Sequence, residues 1–190
     1  MSILNSDPWF GRGTTLFAGP AKYAGYEGAV ASTDPRNGTS SIGSVKNFTD
    51  VDPRTTNTGV RLSNRLVTCV AVRNTSGAPL LPGAVVKFKK AAILDEVDGV
   101  AAAATDAPLG VVDEYLPATG VANGDVFWLV VSGPTAITTA ATLAAGALVT
   151  ATAGAAATGT AANAIGVVIS VPANGKVRTL VNTTFGHSAA

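Results

Sequence analysis

The side chains that could do chemistry in this chain are few, and they are badly spaced for it. Nucleophilic catalysis by Ser, Thr or Cys needs a base such as histidine, and the single histidine, His187, lies in the last residues of the sequence. Cys69 is the single cysteine. Because its neighbours are aliphatic, we expect it to be a small buried apolar side chain and not a nucleophile. From the positions of His187 and Cys69 we predict that the chain has no nucleophilic active site.

Acidic residues are grouped at two places, and neither group suits a metal ion or a pair of catalytic carboxylates. Asp95, Glu96 and Asp98 could offer oxygens to a calcium ion, but their spacing is not that of an EF-hand loop, and a solvated loop is the preferred interpretation. Asp113 and Glu114 are neighbours on a predicted strand, so they point to opposite faces. A zinc site needs more His and Cys than the chain contains. We therefore predict no catalytic residue, no metal and no cofactor, and a protein that is not an enzyme.

Nucleic acid and membranes are also unfavourable partners. The formal net charge is +1, and the nearest approach to a basic cluster, Lys87, Lys89 and Lys90, is typical of an exposed or edge strand. The glycines around Arg12 lack the strand and helix that would make a phosphate loop. The Ala-rich region 139–171 is interrupted by glycines and threonines, which argues against a membrane span. We expect no nucleic-acid partner and no membrane.

The elements that would position any site follow a repeated β pattern. The phrases GAVV, LGVV and GDV at residues 83–86, 109–112 and 124–126 return as GALV, IGVV and GKV at residues 146–149, 165–168 and 175–177. A Gly-led β-branched run, a loop, a second such run and a turn recur in the same order, which is how a β-supersecondary unit repeats. The pattern predicts an internal duplication over about 80–132 and 143–182.

Short β-branched runs between Gly and Pro residues predict the strands. They fall at residues 65–73, 84–90, 109–116, 125–132, 135–142, 147–153, 165–171 and 176–182, while 93–107 is left open as a loop or short helix. The run around Phe127, Trp128 and Val130 does not alternate, so both faces of its strand should be covered, in the core or in an oligomer interface. Without a convincing amphipathic helix, residues 60–190 predict an all-β domain, a sandwich or barrel-like fold of short antiparallel strands.

Residues 1–59 have a different composition, rich in Gly, Ser, Thr, Asn and Asp-Pro. We predict that they form a long extended N-terminal arm with aromatic anchors, because aromatic rings give large contact areas at low entropic cost. The candidate contact residues are Trp9, Phe10, Arg12, Phe17, Tyr23, Tyr26 and Phe48. Two alternatives remain open: the arm orders on a neighbouring subunit or partner, or its rings fold back on the β-domain. Charged residues are only 13% of the chain, which favours assembly.

The segment from Arg65 to Lys90 reads VAVRNTSG at 70–77 and LLPGAVV at 80–86, and it resembles the small decoration, or cement, proteins of tailed-bacteriophage capsids. The later LGVV and GDV phrases and their echoes are similar to the Gly-Val-rich β-domains of that family. The resemblance implies a β-rich virion protein, often a homotrimer, that binds the outer surface of an assembled capsid. Its partners would be the major capsid protein and further copies of itself. A tail-associated or receptor-binding structural protein of a phage is the alternative.

Overall fold

The computed structural model describes residues 15–17, 42–52, 60–91, 95–103, 106 and 109–183. These residues form eleven strands and no helix, so the predicted all-β class is confirmed and no described helix could cross a membrane. The strands are β1 Thr15–Phe17, β2 Val45–Asp52, β3 Val60–Asn74, β4 Val85–Phe88, β5 Glu96–Val100, β6 Leu109–Val112, β7 Val126–Thr138, β8 Leu148–Thr152, β9 Ala155–Thr158, β10 Gly166–Val168 and β11 Lys176–Asn182.

Five of the strands close into a ring, which we call the closed barrel. β3 pairs parallel with β5 and antiparallel with β7, and antiparallel pairs link β5 to β4, β4 to β6 and β6 to β7. Because the ring is closed, each of the five strands has a hydrogen-bonded neighbour on both sides. The side chains of one hydrophobic cluster come from these strands and their connections: Val70, Val72, Leu80, Val86, Phe88, Val97, Val112, Leu116, Val121, Phe127, Leu129 and Val131.

A second unit, the open barrel, uses the other half of β7. Residues 132–138 of β7 pair with β11, and antiparallel pairs then link β11 to β10, β10 to β8 and β8 to β9. β9 comes back towards the end of β7, where the Thr139 hydroxyl donates a hydrogen bond of 2.9 Å to the Ala156 carbonyl. A second hydrophobic cluster joins side chains of this unit, such as Ile137, Val149 and Val177, to the outer face of the closed barrel.

β7 is one strand where the sequence predicted two, at 125–132 and 135–142. Gly133 and Pro134 suggested a break, yet Pro134 lies opposite Leu180 of β11 within a continuous ladder. The N–H groups of Ala136 and Thr138 point away from β11, to Glu114 and to the Gly83 carbonyl. Pro134 precedes Ala136 by two residues and would direct its N–H the same way, so the proline removes no bond to β11.

Both faces of β7 are covered, as predicted for a run without alternation. Phe127 and Leu129 belong to the cluster inside the closed barrel, whereas Trp128 and Val130 belong to the cluster between the units. All four side chains are buried. β7 is therefore the wall that the two units share.

The two repeated phrases form the same local structure. The Gly83 N–H donates to the Val112 carbonyl at 2.8 Å, and the Gly146 N–H donates to the Val168 carbonyl at 2.9 Å. Both glycines have positive φ, 84° and 82°, which favours glycine. β4, β5, β6 and β7 pair in the order β5-β4-β6-β7, and β8 to β11 pair in the matching order β9-β8-β10-β11.

Four strands were not predicted, and two of them, β1 and β2, lie before residue 60. β5 lies in the segment left open as loop or helix, and β9 lies in an Ala-rich run with weak β signal. β2 precedes residue 60 and pairs with β3 from Val45 to Thr49 and, after a register shift, at Val51 and Asp52. A strand of the sheet therefore lies within the segment predicted to be an arm, because β3 supplies hydrogen bonds that the local sequence did not indicate.

Thr135 offers a test of the packing inside the open barrel. It is 0% exposed, and its hydroxyl has no hydrogen-bond partner among the described residues. A buried hydroxyl without a partner loses its hydrogen bonds to water on folding and gains none within the protein. Thr135→Val should therefore raise the free energy of unfolding by about 1 kcal/mol. Thr139→Val is the matched control and should lower it by about 1 kcal/mol, since that hydroxyl is hydrogen-bonded. Urea unfolding measures both; a less stable Thr135→Val variant contradicts the assignment.

Candidate functional site: the β2 strap

Several of the described side chains that could do chemistry are buried or bonded within the chain. No group of three or more His, Cys, Asp or Glu is arranged to hold a metal ion within the described ranges. The Cys69 side chain is 0% exposed inside the second hydrophobic cluster, as predicted. Glu96 binds the Lys89 ammonium at 2.8 Å, and this hydrogen bond and charge raise the pKa of Lys89. Asp113 accepts the Tyr115 N–H at 2.9 Å. His187 lies outside the described residues.

The most organised polar arrangement lies under β2, which crosses the junction of the two units and which we call the strap. Alternate residues of one face of β2 point inward. Phe48 packs edge to face on Trp128 of β7, with ring centroids 5.5 Å apart and an interplanar angle of 71°. The Lys46 ammonium lies 5.4 Å from the Phe48 ring centroid. The aromatic pair stabilises the contact beyond simple burial.

The next inward residue of the strap, Asp50, is 0% exposed and binds Arg178 of β11. The Arg178 Nη2 atom donates to both Asp50 carboxylate oxygens, at 2.6 and 2.7 Å. The Ser63 hydroxyl donates a further hydrogen bond of 2.7 Å to Asp50. On the other side, Arg178 Nη1 lies 3.3 Å from a Glu114 oxygen, which also accepts the Ala136 N–H. A buried carboxylate thus has its charge and lone pairs satisfied.

The environment of Arg178 keeps its charge in place. Burial opposes the charged form, but the hydrogen bond and attraction of Asp50, followed by Glu114, outweigh burial and raise the pKa of Arg178. A raised folded pKa adds stability that is fully present below the unfolded pKa and is lost only as the pH rises through the folded value. Arg178 therefore remains charged at neutral pH, and its link to Asp50 persists.

Phe48 and Asp50 of the strap contact two different strands, β7 and β11. Trp128 stands opposite Ala71 in the β3–β7 ladder, and Arg178 stands opposite Ala136 in the β7–β11 ladder. Phe48 therefore fastens the strap to the closed barrel, and Asp50 fastens it to the open barrel. The arrangement fixes the two units to one strand.

The structure describes some of the predicted site residues and not others. Phe127, Trp128 and Val130 are 0%, 3% and 0% exposed within the single chain, so they offer no surface to a second copy. Phe48 packs on the chain's own core, and the backbone of Phe17 pairs with Val126 of β7. The other predicted contact residues lie outside the described residues: Trp9, Phe10, Arg12, Tyr23 and Tyr26.

Asp50, Glu114 and Arg178 were not predicted from the sequence. The Phe48-x-Asp50 spacing places both side chains on one face of a strand. This spacing was the one local feature of the sequence that could have linked Asp50 to Phe48. Nothing local pointed to Arg178, because its bond to Asp50 joins residues 128 positions apart.

Exposed aliphatic side chains mark two regions of the surface. Val167, Ile169 and Val171 are 37%, 45% and 64% exposed at the end of β10. No charged residue lies between Asp125 and Lys176, so the surface of the open barrel is largely uncharged. The second region is the outward face of β2 and β3, with Val45 and Leu66 at 62% and 56% exposure.

No family model and no curated protein matches the sequence. A solved structure described as the head fiber gp8.5 N base in bacteriophage phi29 is similar at 13% identity and a TM-score of 0.43, covering 62% of this chain and 95% of that chain. A likeness of this size establishes neither a family nor a function for the chain.

Proposed function

We propose that the chain is a structural virion protein that binds the outer surface of an assembled bacteriophage capsid and bridges neighbouring major-capsid subunits. The single observation that carries the proposal is the uncharged surface of the open barrel with its exposed Val167, Ile169 and Val171. Contiguous exposed apolar side chains in a largely uncharged surface favour contact with another protein. The resemblance of residues 65–90 to capsid cement proteins supports the choice of partner.

The proposed mechanism depends on multivalency and not on chemistry. A protein that contacts several capsid subunits converts each later contact into an intramolecular one, so weak contacts add up. Binding to the assembled shell and not to loose subunits shifts the equilibrium towards the shell by mass action. The strap supports this role because it ties the two units together, so that a load on one is passed to the other.

The arm residues Trp9, Phe10, Arg12, Tyr23 and Tyr26 remain candidate contacts to the capsid or to a neighbouring copy. A homotrimer remains the proposed oligomer. Because Phe127, Trp128 and Val130 are inside the chain, its subunit contacts must use other surfaces.

A binding experiment with capsid particles tests the proposal. Ile169→Asp combined with Val171→Asp should reduce co-sedimentation with assembled shells at least tenfold and lower their rupture temperature, since two charges would be buried against a protein surface. Val100→Asp is the matched control, because Val100 is 46% exposed on β5, away from this patch. Undiminished decoration by the double variant, or label on the tail in electron micrographs of the virion, would contradict the proposal.

A further inference from the structure

The outer edge of β2 carries backbone groups that no described strand pairs with. β2 stands at the end of the sheet order, with β3 as its neighbour. The Ala71 N–H of β3 donates to the carbonyl of Ser44, the residue just before β2, at 2.9 Å. The backbone groups of every second residue after Ser44, namely Lys46 and Phe48, therefore point towards β3. Because hydrogen bonds alternate along an antiparallel pair, the N–H and C=O groups of Val45, Asn47 and Thr49 point away from β3.

The side chains of this edge are exposed and uncharged. Val45 is 62% exposed, and Asn47 and Thr49 are also exposed. Opposite Thr49 on β3 stands Leu66, which is 56% exposed. Natural edge strands are usually protected by charges, prolines or bulges. Here the one charged residue between 45 and 49 is Lys46, which lies on the other face over the Phe48 ring.

We propose that this edge pairs antiparallel with β2 of a second copy of the chain, about a two-fold axis at Asn47. Such pairing sets Val45 opposite Thr49 of the second copy, and cross-strand pairs of β-branched residues are favourable. Asn47 stands opposite Asn47 of the second copy. Its Oδ1 atom accepts the Thr68 hydroxyl at 2.8 Å. Its amide NH2 can therefore donate to the second lone pair of the opposing Oδ1, reciprocally.

Charge selects this register over a neighbouring one. With the axis at Asn47, each Lys46 comes opposite Phe48 of the second copy, which adds a second aromatic contact for the ammonium. With the axis at Lys46, the two ammonium groups would stand directly opposite each other, which is destabilising.

The contact is isologous, so each copy uses the same surface and a second surface stays available for a trimer. Its area is small compared with the roughly 1,200 Å² of stable interfaces. The association should therefore be weak in dilute solution and strengthen where copies are held side by side, as on a shell.

Disulfide trapping of the purified full-length chain tests the register. In the proposed pair the two Asn47 Cα atoms are about 5.5 Å apart, within disulfide range. Asn47→Cys should form a covalent dimer under mild oxidation. Thr49→Cys is the matched control on the same edge and face, and its two Cα atoms would be about 14 Å apart. Cys69 is buried and stays out of the reaction.

We expect Asn47→Cys to cross-link at least tenfold faster than Thr49→Cys. Equal rates, or a faster Thr49→Cys, would overturn the pairing. A second comparison needs no cysteine: Thr49→Pro removes an edge N–H, whereas Thr49→Ala keeps it. Sedimentation velocity over a concentration series should show self-association reduced in the proline variant and retained in the alanine variant. The same self-association in both variants, each with a cooperative melt, would also overturn the proposal.

Discussion

Replacing Arg178 with methionine should lower the free energy of unfolding by about 3 kcal/mol, one of the two largest losses we expect from a single substitution in this chain. The change takes the Arg178 guanidinium away from the Asp50 carboxylate, which is 0% exposed. Removing one partner of a buried ion pair typically costs about 3–5 kcal/mol. We place the effect at the lower end because the Arg178 side chain keeps 22% exposure. Chemical denaturation monitored by Trp fluorescence measures the loss.

Two further variants separate the ion pair from a general loss of charge. Asp50→Asn combined with Arg178→Met should lose much less than the sum of the two single losses, because the buried charge and its partner are removed together. Lys89→Met breaks the more exposed pair with Glu96, in which the Lys89 side chain is 45% exposed, and should change stability little. Additive losses in the double variant would show that Asp50 and Arg178 do not depend on each other.

Replacing Gly133 with alanine should destabilise the fold by about 3 kcal/mol or more. Gly133 lies in the middle of β7 with φ 106°, where β3 crosses close to it. A Cβ atom there would overlap the Leu66 carbonyl oxygen and lie 2.8 Å from the Val67 Cα atom. Both are backbone atoms, which cannot rotate aside as a flexible side chain can. The cost therefore adds a displacement of β3 to the penalty for positive φ.

Gly146→Ala is the matched control for that substitution. Gly146 also has a positive φ, 82°, but nothing lies within 4 Å of the Cβ position. It should lose only about 1 kcal/mol, the cost of the backbone conformation. Thermal unfolding of the two variants and of the parent chain measures the two losses of stability. Equal losses would mean that the close approach of β3 to β7 contributes nothing.

Most strands could be predicted because the sequence pattern that favours a strand extends over only a few neighbouring residues. Residues 176–182 were predicted as a strand, and β11 occupies the same residues, since a short run rich in β-branched residues after a turn such as Asn174-Gly175 favours a strand. The prediction of two strands instead of β7 shows the limit of local signals. Gly133 and Pro134 read as a break, but whether a proline breaks a strand depends on the direction of its missing N–H, and only the neighbouring strands define that direction.

The strap shows the same limit for the candidate site. Phe48 was selected for its aromatic ring and assigned to an arm, yet it packs on Trp128 inside the chain. Asp50 was not selected at all, because one carboxylate in a polar segment has no distinctive local pattern. Its position became informative only once β2 was seen to cross both units.

By itself the sequence determined the β class, the repeated Gly-led units and the burial of Cys69, because backbone preference and side-chain polarity act over a few neighbouring residues. Only the tertiary structure decided that β7 is shared by the two units, that Asp50 meets Arg178, and that Trp128 is covered from within the chain. These outcomes depend on ring closure and on contacts between residues far apart in the chain. Their formation is set by the geometry of the assembled sheet and not by any local preference.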